Sequence, residues 1–239
     1  MNATTAVITA RDLSLRTRAG WVYRDIDLDV PAGSLAVITG PARSGKTALL
    51  LTLAGRMAAG GGELVVAGVD ARRRPSAVRR LAGLGEFRGV NGLDETLSVA
   101  DQVMAELALH GRHWRGAHVA PLLDRLGLNV EPHATVRSLT SAERLLLGAA
   151  LGLIGAPPLL VLDELDENTT PAETEAVLAA LRRLTAAGST VVAGTLDPCL
   201  AAAADVSLAL DSGGAPALQD ALWSQIAADP EEVEAHALV

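Results

Sequence analysis

The sequence predicts an α/β chain built on a mostly parallel sheet with helices over both faces. Three observations carry that prediction. Strand-length apolar runs alternate with helical patterns along most of the 239 residues, which is how parallel sheets are wound. A glycine-rich segment, Gly40 to Thr47, stands between a short apolar run and a helical one. A charge-free run, Leu159 to Leu162, opens directly onto two acids, Asp163 and Glu164. Hydrophobic residues make up 49% of the chain and mean hydropathy is +0.29, so a large core is available and disorder is excluded. At about 150 residues per domain the length favours one large unit or a core with a subdomain.

The elements follow in order. Val7-Ile8, Leu13 to Leu15 and Tyr23 to Val30 read as short strands, the last alternating through Ile26, Leu28 and Val30. Pro31-Ala32-Gly33 is a turn and Leu35 to Thr39 a short buried strand. Lys46 to Ala58 is helical, with Leu49, Leu50, Leu53 and Met57 on one face, and Gly60-Gly61-Gly62 breaks it before a strand from Glu63 to Ala67. From Ser98 to about Arg137 two helical patterns occur without a strand between them, as an inserted helical subdomain would give. Leu145 to Leu162 is 18 residues free of charge, long enough to raise a membrane span. Its glycines and Pro157-Pro158 instead divide it into the end of a helix, Ser141 to Leu153, and the strand Leu159 to Leu162. That strand is expected to lie beside the strand Leu35 to Thr39. Thr170 and Glu173 form a capping box with Pro171 at the first helical position, and that helix ends at Gly188. Thr190 to Thr195 and Val206 to Leu210 are the remaining strands.

Several function classes are excluded. Aromatics are only 2% and the net charge is −8, with a pI of about 5.1, so neither base stacking nor a phosphate-backbone grip on nucleic acid is expected. One cysteine, Cys199, rules out an intrachain disulfide and favours a reducing cytoplasm; it is expected to be a small buried apolar residue. The first residues lack a basic region followed by an apolar one, so no signal peptide is expected. Arg72-Arg73-Arg74 with Arg79-Arg80 reads as a solvated basic surface. His110, His113 and His118 are spaced like metal ligands, but Gly111 and Gly116 interrupt them, and metal binding is not expected there.

Gly40-Pro41-Ala42-Arg43-Ser44-Gly45-Lys46-Thr47 fits the pattern of a loop that wraps phosphates, with the required strand before it and helix after it. Its backbone N–H groups, with that of Ala48, point at the anion, and the helix N-terminus adds partial positive charge. Lys46 is the only lysine among 20 basic residues, and the odds that it falls in this pattern by chance are about one in a thousand. Arginine's planar fork cannot replace a compact ammonium there. Lys46 is expected to reach the β- and γ-phosphates, Thr47 to place its hydroxyl on Mg²⁺, Asp163 to hold Mg²⁺ through water, and Glu164 to polarise the attacking water.

With these residues the chain resembles the nucleotide-binding subunit of ATP-binding cassette (ABC) transporters, from about Leu13 to Leu210. "RDIDLDVPAGSLAVITGPARSGKTALLLTLAG" resembles that family's opening strands, phosphate loop and first helix. "LTSAERLLLGAALGLIGAPPLLVLDE" pairs without a gap with its LSGGQ-to-acid segment. The resemblance implies a phosphate-loop NTPase fold of ABC type: a mostly parallel sheet, an antiparallel β subdomain and a helical subdomain at about 98–153, in one domain of 1–239 with a tail at about 212–239. It implies ATP and Mg²⁺ as ligands and a multi-span membrane protein as partner. Pairing as a homodimer or heterodimer with another nucleotide-binding subunit is also implied, at the inner face of the cell membrane.

The departures set further expectations. The signature LSGGQ is here Leu139-Thr140-Ser141-Ala142-Glu143, so two glycines that approach a partner's γ-phosphate carry side chains. The family's switch histidine is Leu196. Its glutamine that links nucleotide to membrane partner is Glu86, a candidate Mg²⁺ ligand, and Arg43 stands at a usual glycine. The loop after Glu164, usually ending in Leu-Asp, is "LDENTTP". No adenine-stacking aromatic lies near Arg16 to Arg18; Trp21 and Tyr23 are expected to face the sheet. The expected function is an ATP-binding transporter subunit with weak or slow hydrolysis, the alternative being a non-transporting ATP-binding switch or scaffold.

Overall fold

The computed structural model describes residues 6–109 and 120–211. His110, His113, His118 and the expected tail at 212–239 lie outside the described residues. In chain order the elements begin β1 (Ala6–Thr17), β2 (Gly20–Pro31), β3 (Leu35–Thr39), α1 (Lys46–Leu53), β4 (Gly61–Val66), β5 (Val69–Asp70), α2 (Pro75–Leu81) and β6 (Ala82–Leu84). They continue α3 (Val99–Leu109), α4 (Ala120–Leu126), α5 (Ser141–Gly152), β7 (Leu159–Leu162), α6 (Pro171–Ala186), β8 (Thr190–Thr195) and β9 (Val206–Ala209). Among the described residues no helix is long and apolar enough to cross a membrane.

The strands form two sheets. An antiparallel sheet runs β2-β1-β4-β5 and a parallel one runs β6-β7-β8-β3-β9. Every residue of β3, β7 and β8 is buried, as strands covered on both faces require. Their alternation divides the core. Ala36, Ile38, Leu159 and Val161 pack with α1 and the antiparallel sheet, whereas Leu35, Val37, Leu160 and Leu162 pack with α5 and α6.

Three expectations are corrected here. Val7-Ile8 and Leu13 to Leu15 are one strand, β1, whose pairing with β2 shifts register between Ala10 and Leu13. Asp12 takes a left-handed φ of 49° there, its N–H on Asp27 Oδ1 at 2.9 Å; this bulge interrupts the alternation that marks a strand. The first helix stops at Leu53, because Gly55 turns left-handed (φ 69°) and its N–H bonds the Thr52 carbonyl at 3.0 Å. Finally, β7 does not lie beside β3: β8 runs between them. An apolar strand carries no mark of its neighbour in composition, so order within the sheet was not legible.

Both long helices start on capping boxes. Thr170 with Glu173 caps α6 as expected, and Thr140 with Glu143 caps α5 in the same way. Gly148 and Gly152 lie inside α5 and serve contact rather than termination. A Cβ added at Gly148 would stand 2.7 Å from the Glu86 nitrogen, and one added at Gly152 would collide with the Leu84 carbonyl. Arg144, Gly148 and Gly152 recur at four-residue intervals on one helix face. The same face that lets β6 approach therefore points Arg144 at the loop following β6.

Candidate functional site

The loop between β3 and α1 is built as a cradle. Gly45 precedes the helix at φ 92°, where an added Cβ would collide with the Val22 carbonyl oxygen, so only glycine permits this approach. Pro41, Ala42 and Arg43 are exposed, Arg43 at φ 64°, while Ser44 and Ala48 are buried. The Lys46 ammonium donates to the Gly40 and Pro41 carbonyls at 2.6 and 2.9 Å. It lies across the mouth of the loop, where it would exchange those carbonyls for phosphate oxygens. Burial lowers the Lys46 pKa, and Asp163, Asp166 and Glu164 oppose that shift. Ser44 adds a direct sign of fit: its hydroxyl is buried without a hydrogen-bond partner among the described residues. A buried, unpaired hydroxyl is costly unless a ligand completes it.

Thr47 and Asp163, the two residues expected to hold Mg²⁺, are also brought together. Asp163 emerges from the end of β7 almost fully buried, with the Thr47 side chain near enough to stabilise its carboxylate. Burial raises the Asp163 pKa, against the pull of Thr47, the Glu164 N–H and Lys46. The two residues meet although β8 separates their strands, and Gly194 on β8 is the reason. An added Cβ there would stand 2.6 Å from Asp163 Oδ1 and 2.8 Å from Leu50 Cδ1. Gly194→Ala is expected to push Asp163 off Thr47 and to weaken Mg²⁺-dependent nucleotide binding about tenfold, or about 1.4 kcal/mol. Calorimetric titrations with Mg²⁺ and with chelator check this, since the chelated affinity is expected to change little.

Glu164, at φ 53°, lines a cavity of about 470 Å³ together with Asp163, Glu86, Arg88, Ser141 and Arg144. Its pKa is pushed up to about 7, first by burial and then by contact with the Glu167 carboxyl and the nearby Asp163 charge. Arg88 reaches both acids, 2.7 Å from Glu167 and 3.8 Å from Glu164. Across the site, Asp166 accepts the backbone N–H groups of Leu196 and Asp197 at 3.1 and 3.0 Å. That fixes the turn after β8, and Leu196 presents a half-exposed apolar side chain there.

Glu86 lines the same cavity, but Arg144 takes both its oxygens, at 2.8 and 2.5 Å. The pair is mostly buried, Arg144 25% and Glu86 15% exposed, so the Glu86 carboxylate is already matched by a cation. Sequence reasoning did not single out Arg88, Arg144, Glu167 or Gly194. A glycine inside the strand "TVVAGT" was a readable sign of close approach; ion pairs between distant loops leave no local sign.

Two aromatic expectations and one for cysteine meet the structure here. Tyr23 does face the core, its hydroxyl bonded to Thr52 at 2.8 Å. Trp21 does not: it is 41% exposed, with the Arg16 guanidinium 5.3 Å from its ring centre. It sits two residues from Tyr23, yet the register shift between Leu15 and Arg16 turns it outward. Cys199 is exposed rather than buried, on a short 3₁₀ turn, Pro198–Ala203, whose described residues include none that are buried.

Residues 23–167 match the family model described as ABC transporter. The chain belongs to the ABC transporter family. It is 32% identical over 168 residues to a phosphonates import ATP-binding protein of Hyphomonas neptunium, covering 66% of this chain and 64% of that one. With a methionine import ATP-binding protein of Rhodococcus jostii it shares 32% over 205 residues, 82% of this chain and 60% of the other. The match thus spans less than two thirds of the length of these relatives. Among solved structures, an ATP-binding cassette in a dimeric post-hydrolysis state bound to ADP and phosphate superposes with a TM-score of 0.72 at 20% identity, over 86% of this chain and 95% of that one. A part of an ABC transporter complex from Clostridium perfringens gives 0.74 at 16% identity, over 98% and 99% of the two chains. These superpositions show the fold: the parallel and antiparallel sheets are those of an ABC cassette.

Proposed function

We propose that this ABC-family chain is an ATP-binding subunit that works with a separate multi-span membrane protein and hydrolyses ATP slowly. The observation that carries the reading is the cradle itself: Lys46 over the loop carbonyls, a buried Ser44 hydroxyl without a hydrogen-bond partner inside, and Thr47 near Asp163. These groups fit a Mg²⁺-nucleotide, with Thr47 and Asp163 holding the ion and Lys46 the phosphates. Mg²⁺, when bound, would neutralise charge on the β- and γ-phosphate oxygens. Glu164 would accept a hydrogen bond from the attacking water. Leu196 has no group to donate to the γ-phosphate, and Ser141 and Ala142 would crowd a partner's nucleotide, which supports slow turnover. Printed names among relatives refer to import of phosphonates and methionine and to daunorubicin/doxorubicin resistance, so neither cargo nor direction follows for this chain.

The Glu86–Arg144 pair favours a second reading, a nucleotide-binding switch without transport, because it ties up the residue expected to link nucleotide to membrane partner. Purification of the tagged chain from detergent-solubilised membranes of its own cells separates the two. Transport predicts that a multi-span protein accompanies it in fixed ratio. Recovery free of any such protein, in the presence of MgATP, would favour the switch.

A further inference from the structure

Arg88 links the loop after β6 to the acidic loop after β7. Arg88 Nη1 lies 2.7 Å from Glu167 Oε1, and its Nε lies 3.8 Å from Glu164 Oε2. One guanidinium within reach of both places the Glu164 and Glu167 carboxyls close together, and the Glu167 N–H closes a turn on the Glu164 carbonyl at 3.1 Å. The backbone cannot separate them easily: Glu164 is left-handed, and the Leu165 N–H is fixed to the Gly194 carbonyl at 3.0 Å. Two acids are therefore forced side by side where like charges repel. Arg88 does not fill space, since its side chain is 67% exposed.

We propose that Arg88 is a positioning residue for Glu164: by drawing the Glu167 carboxylate to itself, it keeps Glu164 directed into the cavity shared with Asp163 and Ser141. The inference rests on the reading of Glu164 as the water-polarising group. Arg88 acts through Glu167 and needs no contact with nucleotide. Without it, the repulsion from Glu167 displaces Glu164, and a shift of about 1 Å in a reacting group is enough to cost large factors in rate. Removing the charge of Glu167 removes the need for Arg88.

The test uses the full chain, Arg88→Ala, Arg88→Lys, Glu167→Gln and the Arg88→Ala/Glu167→Gln double variant. Three quantities are read: single-turnover hydrolysis of MgATP, MgATP affinity by calorimetry, and the urea midpoint of the nucleotide-free protein. Arg88→Ala is expected to slow turnover about tenfold while affinity stays within about twofold, and Arg88→Lys to recover most of the rate. In the Glu167→Gln background, Arg88→Ala is expected to change neither turnover nor the urea midpoint, although alone it lowers both. An equal loss in both backgrounds, or a loss of affinity with turnover retained, overturns the proposal. Failure of the wild-type chain to bind MgATP would sink the nucleotide reading instead. The urea midpoints then decide the clamp by themselves: additive shifts overturn it, and coupled shifts support it.

Discussion

Lys46→Ala is expected to weaken MgATP binding at least tenfold. The lysine is the cation of the cradle, and the surrounding charges are unfavourable to an anion. Asp163, Asp166 and Glu164 all act on the ammonium, so removing it leaves the triphosphate of MgATP near these carboxylates without the protein's own compact cation. Each decade of lost affinity corresponds to about 1.4 kcal/mol. Arginine is expected not to rescue, because a planar fork does not occupy a site where Nζ reaches two carbonyls of the same loop. Calorimetry on both variants measures this, and unchanged affinity would remove the loop from the binding account.

The phosphate loop was legible in the sequence because its requirements are local: a strand, glycines, one lysine and a helix, all in consecutive positions. The place of Asp163 and Glu164, at the end of a four-residue apolar strand, was legible for the same reason. What joins them was not. The order of β3, β8 and β7 depends on long-range pairing, and the role of Gly194 appears only once β8 is known to run between the two halves of the site. Glu86 was identified from its place in the chain. Its partner Arg144 lies 58 residues away, and their meeting depends on Gly148 and Gly152 allowing β6 onto α5. Bulges had the same effect on the hairpin, where Asp12 interrupted the alternation of β1 and a register shift turned Trp21 outward.

Glu164→Gln is expected to remove the remaining hydrolysis, by about 100-fold or more, while leaving MgATP affinity within a few-fold. The amide keeps the shape and the contacts with Arg88 and Glu167, but it is a far weaker hydrogen-bond acceptor for water; general-base groups contribute about 10²–10⁴ in rate. The wild-type rate should already be low. Leu196 stands in the turn held by Asp166 and offers no donor, and losing one transition-state donor costs about 2.7–4 kcal/mol, or 10²–10³ in rate. Leu196→His is expected to raise turnover only in the presence of a second subunit that supplies an intact signature segment. Single-turnover assays under saturating MgATP separate these effects from binding.

Steady-state MgATP turnover by the purified wild-type chain tests most directly whether the cradle at Lys46 binds nucleotide while Leu196, Ser141 and Ala142 limit its hydrolysis. The predicted result is saturable nucleotide binding with turnover far below about 1 s⁻¹, the low end of ordinary enzymes. Turnover above that value by the chain alone, abolished by Glu164→Gln, would contradict it, since Leu196, Ser141 and Ala142 would then not limit catalysis.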